Sequence, residues 1–258
     1  MGDNIFSIRG LSFSYGKHEI LKDLDMDIPS GAVTTLIGAN GCGKSTLFGL
    51  MTKNLKPASG EIKLAGCRIS HMNIKEFAKQ VAIVHQHNTA PADLSVEKLV
   101  SYGRTPYRSI GSPGDTEKDE DKINWAMEIT HTDKYRDKPV AELSGGQKQR
   151  VWIAMSLAQD TKVLFLDEPT TYLDIRYQLQ ILRLIRKLNR EYGITIIMVL
   201  HDINQSLYYS DNIIAMRDGK IVGQGEPEDI LMGNLVNAVY DVELDVCRID
   251  GKPFVMSV

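Results

Sequence analysis

Val33-Thr34-Thr35-Leu36-Ile37-Gly38-Ala39-Asn40-Gly41-Cys42-Gly43-Lys44-Ser45 decides the fold of this chain. The run Val33 to Ile37 is uncharged and rich in β-branched residues, the pattern of a short strand buried on both faces in a parallel sheet. The eight residues from Gly38 to Ser45 fit the Gly-x-x-x-x-Gly-Lys-Ser phosphate loop, Walker A, at every position, and Ser45 to Thr52 reads as a helix. The loop glycines let bare amides wrap a phosphate chain at a helix start. Lys44 is expected to reach the β- and γ-phosphates, and Ser45 is placed to ligate magnesium. Gly38, Ala39, Asn40, Gly41, Cys42, Gly43 and Thr46 complete this phosphate-binding set.

A second phosphate-type helix start stands far downstream. Leu143-Ser144-Gly145-Gly146-Gln147 opens the helical run Gln149 to Ala158. A Ser followed by two glycines exposes unpaired amides at the positive end of the helix dipole. A third element, Val163-Leu164-Phe165-Leu166-Asp167-Glu168, is a buried strand that ends in two carboxylates. Such a strand delivers both acids to the carboxyl edge of an α/β sheet, where ligands bind. Asp167 is the Walker B acid expected to hold the Mg²⁺ shell. Glu168 lies one residue further on, where it can accept a proton from an attacking water.

Walker A, Leu-Ser-Gly-Gly-Gln and a Walker B with an added Glu, in this order, resemble the ATP-binding subunit of an ABC transporter over essentially the whole chain. The resemblance implies an α/β fold: a P-loop NTPase (RecA-like) core with an antiparallel β subdomain and an inserted α-helical subdomain. It implies a single ATP-binding domain over 1–258, with core and β subdomain from 1–86 and 161–258 and helices at about 87–160. The implied cofactors are ATP and Mg²⁺. Gln86, after the strand-like Val81 to Val84, matches the Q-loop glutamine that touches Mg²⁺ and the attacking water. His201, after Ile194 to Leu200, matches the switch histidine at the γ-phosphate. Leu173-Asp174 matches the D-loop, and Tyr15 the aromatic that stacks on adenine. Phe13 alternates with Tyr15. His85, His87 and His71 lack zinc-ligand spacing.

In the family, two copies meet head to tail, with ATP between Walker A of one and Ser144, Gly145, Gly146 and Gln147 of the other. Closure on ATP and release on hydrolysis make a ligand-biased two-state element. The implied partners are a second copy, two integral-membrane permease subunits and, indirectly, an extracytoplasmic substrate-binding protein. The implied location is the cytoplasmic face of the cell membrane, held there through the permease.

Thr170-Thr171-Tyr172-Leu173-Asp174-Ile175, Leu200-His201-Asp202-Ile203-Asn204 and Tyr102-Gly103-Arg104-Thr105-Pro106-Tyr107 look like the importers of ferric siderophores, haem and vitamin B12. The expected function is therefore ATP-driven import of ferric chelates. The alternatives are a soluble ABC ATPase of the iron–sulfur assembly type, or the ATPase of another ABC transporter (vitamin B12, haem, an exporter). Cargo contacts lie outside such a subunit, so this reading rests on family analogy. The Gly-Arg-x-Pro segment belongs to the helical subdomain, the part expected in the family to grip the coupling helix of a permease.

Composition agrees with this assignment. The 258 residues suit one domain with a sizeable core. No stretch approaches 18 consecutive apolar residues, and Met1-Gly2-Asp3-Asn4 does not read as a signal peptide. Three scattered cysteines point to a reducing compartment, and a net charge of −3 argues against nucleic acid as a partner. Long coiled-coil insertions of the DNA-maintenance type are absent.

Residues 4–37 read as short antiparallel strands, and Pro57-Ala58-Ser59-Gly60 as a turn before a strand Glu61 to Leu64. Ser95 to Gly103 and Asp119 to Ile129 read as helices, with Gly111-Ser112-Pro113-Gly114-Asp115 as the loop between them. Ile175, Leu179, Leu182, Ile185 and Leu188 form a core-facing helical stripe. Cys42 lies beside Lys44 and a helix start, which favours its thiolate, so alkylation is expected to block hydrolysis.

Overall fold

A computed structural model describes residues 3–108, 116–232, 235–242, 244–249 and 252–256. The expected loop at Gly111–Asp115 lies outside the described residues. The chain divides into two compact units, residues 1–72 with 195–258, and residues 73–194.

In the first unit, β1 (Asn4–Tyr15) and β2 (His18–Pro29) form an antiparallel hairpin of two 12-residue strands. Their inward positions Phe6, Ile8, Leu11, Leu21 and Ile28 are fully buried. The expectation of short strands fails here because register shifts at Ile8/Leu11 and Leu11/Phe13 absorb the apparent breaks as bulges. β3 (Val33–Gly38), buried at every residue, leaves this hairpin for a different sheet and leads into α1 (Lys44–Met51). β4 (Ser59–Leu64) pairs antiparallel with β1 and with the two-residue β5 (Cys67–Arg68). The turn at Pro57 is thus shorter than expected, since Ser59 and Gly60 already belong to β4.

The second unit begins with α2 (Ile74–Ala78), started by Asn73 in a capping box with Glu76. β6 (Val81–Val84) follows. Then come α3 (Val96–Ser101, capped by Ser95) with a 3-10 extension over Tyr102–Tyr107, and α4 (Thr116–Thr130). Both helices pack on α5 (Gly145–Ala158). β7 (Val163–Asp167) runs parallel to β6, Val84 opposite Leu166. α6 (Ile175–Tyr192) buries Leu182, Ile185 and Leu188. Ile175, expected in the same stripe, is 66% exposed, because it stands in the first turn where the helix emerges from its cap.

The chain then returns to the first unit with β8 (Thr195–Val199), α7 (Ile203–Tyr209) and β9 (Asn212–Arg217). β8 and β9 flank β3, both parallel to it, as befits a central strand buried at every residue without alternation. β10 (Lys220–Gly225) returns antiparallel on β9. α8 (Pro227–Met232), α9 (Leu235–Tyr240) and the hairpin of β11 (Asp245–Ile249) and β12 (Lys252–Met256) close the unit. Ile230, Val236, Val239 and Val255 bury Ile37, Ile213 and Ala215 of the sheet.

Candidate functional site

The phosphate loop leaves the carboxyl end of β3 and ends at Gly43, which precedes α1 with φ +106°. The positive φ requires glycine there, and a Cβ at Gly43 would stand 2.6 Å from Leu21 Cδ2, so the leucine would also have to shift. The same approach brings Ile20 and Leu21 of β2 to the side of the loop, and Tyr15 stands at the turn of the β1–β2 hairpin. Phe13 is turned into the core and Tyr15 is 55% exposed, the two rings meeting edge to face at 4.9 Å.

Lys44 is 6% exposed, and its Nζ donates to Gly38 O at 2.7 Å and Ala39 O at 3.0 Å. The ammonium is therefore held inside the curve of the loop. Ser45 is exposed in the first turn of α1, where backbone amides have no intrahelical acceptor. Buried cation, exposed hydroxyl and bare helix start together suit a polyphosphate with a divalent cation. Cys42 departs from the reactive thiol expected: it is buried, with Lys44 Nζ 3.9 Å from its Sγ. Tyr240 of α9 approaches the loop at Gly38, and burial raises its phenol above the ordinary value.

β8 is parallel to β3, so the chain after it emerges at the same edge as the phosphate loop. His201 stands there, exposed, immediately before Asp202, whose Oδ1 accepts from Gln205 N at 2.8 Å and caps α7. The Asp of this His-Asp pair thus fixes the backbone that presents the histidine.

In the second unit, the parallel pair β6 and β7 places His85-Gln86-His87 and Asp167-Glu168 at one carboxyl edge. Gln86 Nε2 donates to Glu168 Oε2. Thr171 Oγ1 donates to the same oxygen at 3.0 Å. Glu168 has φ +49° and Tyr172 φ +63°, both unusual for residues with a side chain. The His87 ring stacks on Tyr172 at 6.0 Å between centroids. Asp174 Oδ1 accepts from Tyr177 N at 3.0 Å and starts α6.

The Leu-Ser-Gly-Gly-Gln segment starts α5 with a capping box. Ser144 Oγ accepts from Gln147 N at 3.4 Å, and Gln147 Oε1 accepts from Ser144 N at 2.9 Å. Used as an acceptor, the Ser144 hydroxyl keeps its proton to donate outward. Gln147 Nε2 donates to Tyr135 Oη at 2.8 Å. Ser144 and Gly145 are exposed. Gly146 is buried, and a Cβ there would lie 2.2 Å from Tyr177 Cδ1.

The arginine of the Gly-Arg-x-Pro segment is buried within this chain. Arg104 is 1% exposed; it donates to Asp119 Oδ1 and to Ala158 O, both at 2.8 Å, and lies over the Tyr107 ring. It ties the 3-10 turn to α4 and to the far end of α5. Thr171 and Tyr177 escaped the sequence reading. Thr171 carries a signal, a hydroxyl three residues after Glu168 in a turn; Tyr177 carries none.

The family model described as ABC transporter matches residues 21–171. The iron(3+)-hydroxamate import ATP-binding protein FhuC of Bacillus subtilis is 43% identical over 94% of this chain and 90% of its own length. The ferric enterobactin transport ATP-binding protein FepC of Escherichia coli is 42% identical over 98% and 93%. Among solved structures, cbiO1 of Clostridium perfringens, part of the ABC transporter complex cbiONQ, superposes with a TM-score of 0.79 at 34% identity, over 92% of this chain and 94% of that one. A dimeric cassette bound to ADP and Pi in a post-hydrolysis state superposes with a TM-score of 0.73 at 25% identity, over 86% and 98%. With its phosphate loop, its paired carboxylates and these matches along its whole length, the chain belongs to the ABC transporter family, as one of its ATP-hydrolysing cassettes.

Proposed function

We propose that this cassette powers the import of ferric siderophore complexes. The observation that carries the reading is identity above 40%, along nearly the full chain, to cassettes named for iron(3+)-hydroxamate and ferric enterobactin transport. It acts as a head-to-tail pair of copies bound to two permease subunits at the cytoplasmic face of the membrane, and an extracytoplasmic binding protein delivers the cargo. The dimeric neighbour bound to ADP and Pi supports pairing.

Lys44 neutralises the β- and γ-phosphates while the loop amides from Gly38 to Thr46 hold their oxygens, and Tyr15 stacks on the adenine. Ser45, Asp167 and Gln86 would hold Mg²⁺, which when bound supplies charge neutralisation at the phosphates. Glu168 takes the proton of the attacking water, and Gln86 orients both. His201 donates to the γ-phosphate. Ser144, Gly145, Gly146 and Gln147 of the opposite copy bring a hydroxyl proton and a helix start to the same phosphate, with Asp174 at the junction. The helices α3, α4 and α5, packed on one another, support an inserted helical subdomain at about 87–160.

The test is recovery of tagged Glu168→Gln protein from its native membranes with MgATP, partners being identified by mass spectrometry. A many-helix permease, together with loss of ⁵⁵Fe-siderophore uptake in cells lacking the cassette, is the expected result. Recovery of soluble partners only, with uptake intact, overturns the reading.

A further inference from the structure

Glu168 is the base in the reading above, and a base works only if one carboxylate oxygen faces the water. The turn that follows β7 supplies the means of holding it. Thr171 Oγ1 donates to Glu168 Oε2 at 3.0 Å, from three residues further along the same turn. Gln86 Nε2 donates to that same oxygen from the loop after β6. Two donors on one oxygen fix the rotation of the carboxylate about its last bond, which otherwise has a broad, shallow preference. The backbone around them is constrained as well: Glu168 and Tyr172 both have positive φ, and Thr171 N donates to Glu168 O at 3.2 Å. Next to Thr171, the Tyr172 ring lies stacked on His87, the neighbour of Gln86. Each of the two donors therefore has a neighbour in contact with the neighbour of the other, and the pair closes around Glu168 from two loops.

We propose that Thr171 is a positioning residue for hydrolysis: its hydroxyl locks the Glu168 carboxylate in the orientation that accepts a proton from water. The inference rests on Glu168 acting as the base. Valine has the shape of threonine without the donor, and serine keeps the donor without the methyl. Thr171→Val therefore removes the hydrogen bond with little change in volume, and Thr171→Ser restores it.

The experiment measures kcat and KM for ATP hydrolysis, and separately the equilibrium Kd of a fluorescent ATP analogue, for wild type, Thr171→Val, Thr171→Ser and Glu168→Gln in the permease-bound complex. A hydrogen bond to a charged group sets the scale. Thr171→Val is expected to lower kcat roughly tenfold with KM and Kd within about twofold of wild type, and Thr171→Ser to recover kcat to within about twofold. Thr171→Val at wild-type kcat, Thr171→Ser as slow as Thr171→Val, or loss of nucleotide affinity in step with kcat would each overturn it. Glu168→Gln separates the two readings. If it still hydrolyses within about tenfold of wild type, the general-base assignment fails and this inference with it. If Glu168→Gln is inactive while Thr171→Val is unaffected, only the role of Thr171 fails.

Discussion

Gly146 and Tyr177 lie so close that a single methyl on the glycine would meet the ring, 2.2 Å from Cδ1 and 2.4 Å from Cγ. The start of α5 is seated directly on the first turn of α6. Gly146→Ala is therefore expected to destabilise the fold by about 2 kcal/mol, as overpacking does, and to disturb the cap at Ser144. Gly145→Ala is the control, since its Cβ would meet Leu173 Cδ2 at an ordinary 3.6 Å. Thermal melting checks this: the double variant Gly146→Ala with Tyr177→Ala should melt above the temperature expected from adding the two single effects.

Arg104 and Asp119 form an ion pair withdrawn from water, and Arg104 also satisfies the carbonyl of Ala158 at the end of α5. Removing Arg104 leaves the buried Asp119 carboxylate with only the exposed Arg108, 3.5 Å from its Oδ2. Arg104→Ala is expected to lower stability by about 3–5 kcal/mol. Replacing both with apolar residues of similar size, Arg104→Met with Asp119→Leu, should cost markedly less than either single change. Chemical denaturation at constant pH distinguishes the cases. Retention of wild-type stability by Arg104→Ala would show that the pair holds nothing.

Lys44 is buried with its ammonium on two loop carbonyls, so its loss affects both the loop and any phosphate bound there. Lys44→Met should weaken binding of a fluorescent ATP analogue by about a hundredfold, the scale of two charge-assisted hydrogen bonds, while circular dichroism stays native. Binding within about threefold of wild type would remove Lys44 from the phosphate site.

The cysteines should react with maleimide in the order of their exposure: Cys67 first, Cys247 next and Cys42 last. Timed labelling followed by peptide mass spectrometry reads the order. Early labelling of Cys42 would mean that the phosphate loop opens readily, and would return that thiol to the reactive role its neighbours suggest.

The sequence was most legible where burial or capping dictates residue type. Val81 to Val84 and Val163 to Leu166 are apolar, and Val33 to Ile37 is buried throughout with Thr34 and Thr35 included, as strands of a parallel sheet are; each is a strand within a residue of its expected bounds. Ser95 and Ser144 announce α3 and α5 because a cap needs a hydroxyl in that place. Long-range polar pairing was not legible. Gln86 and Glu168 are 82 positions apart, and nothing local tells that an amide will rest on that carboxylate. Nothing local tells that Arg104 is buried, since arginine seldom is; only Asp119 and Ala158 explain it. The strands and helices after Asp211 went unread: they are short, and β10 carries two glycines and no continuous apolar face.

The seat of Gly146 on Tyr177 has a mechanical consequence. Tyr177 N is also the amide that Asp174 caps, and a Cβ at Gly145 would stand 3.6 Å from Leu173 Cδ2. The first turns of α5 and α6 are thus meshed like gear teeth, with a bare glycine as the notch and a tyrosine ring as the cog. Neither helix start can advance on the other, because the ring of Tyr177 already fills the space a side chain at Gly146 would need.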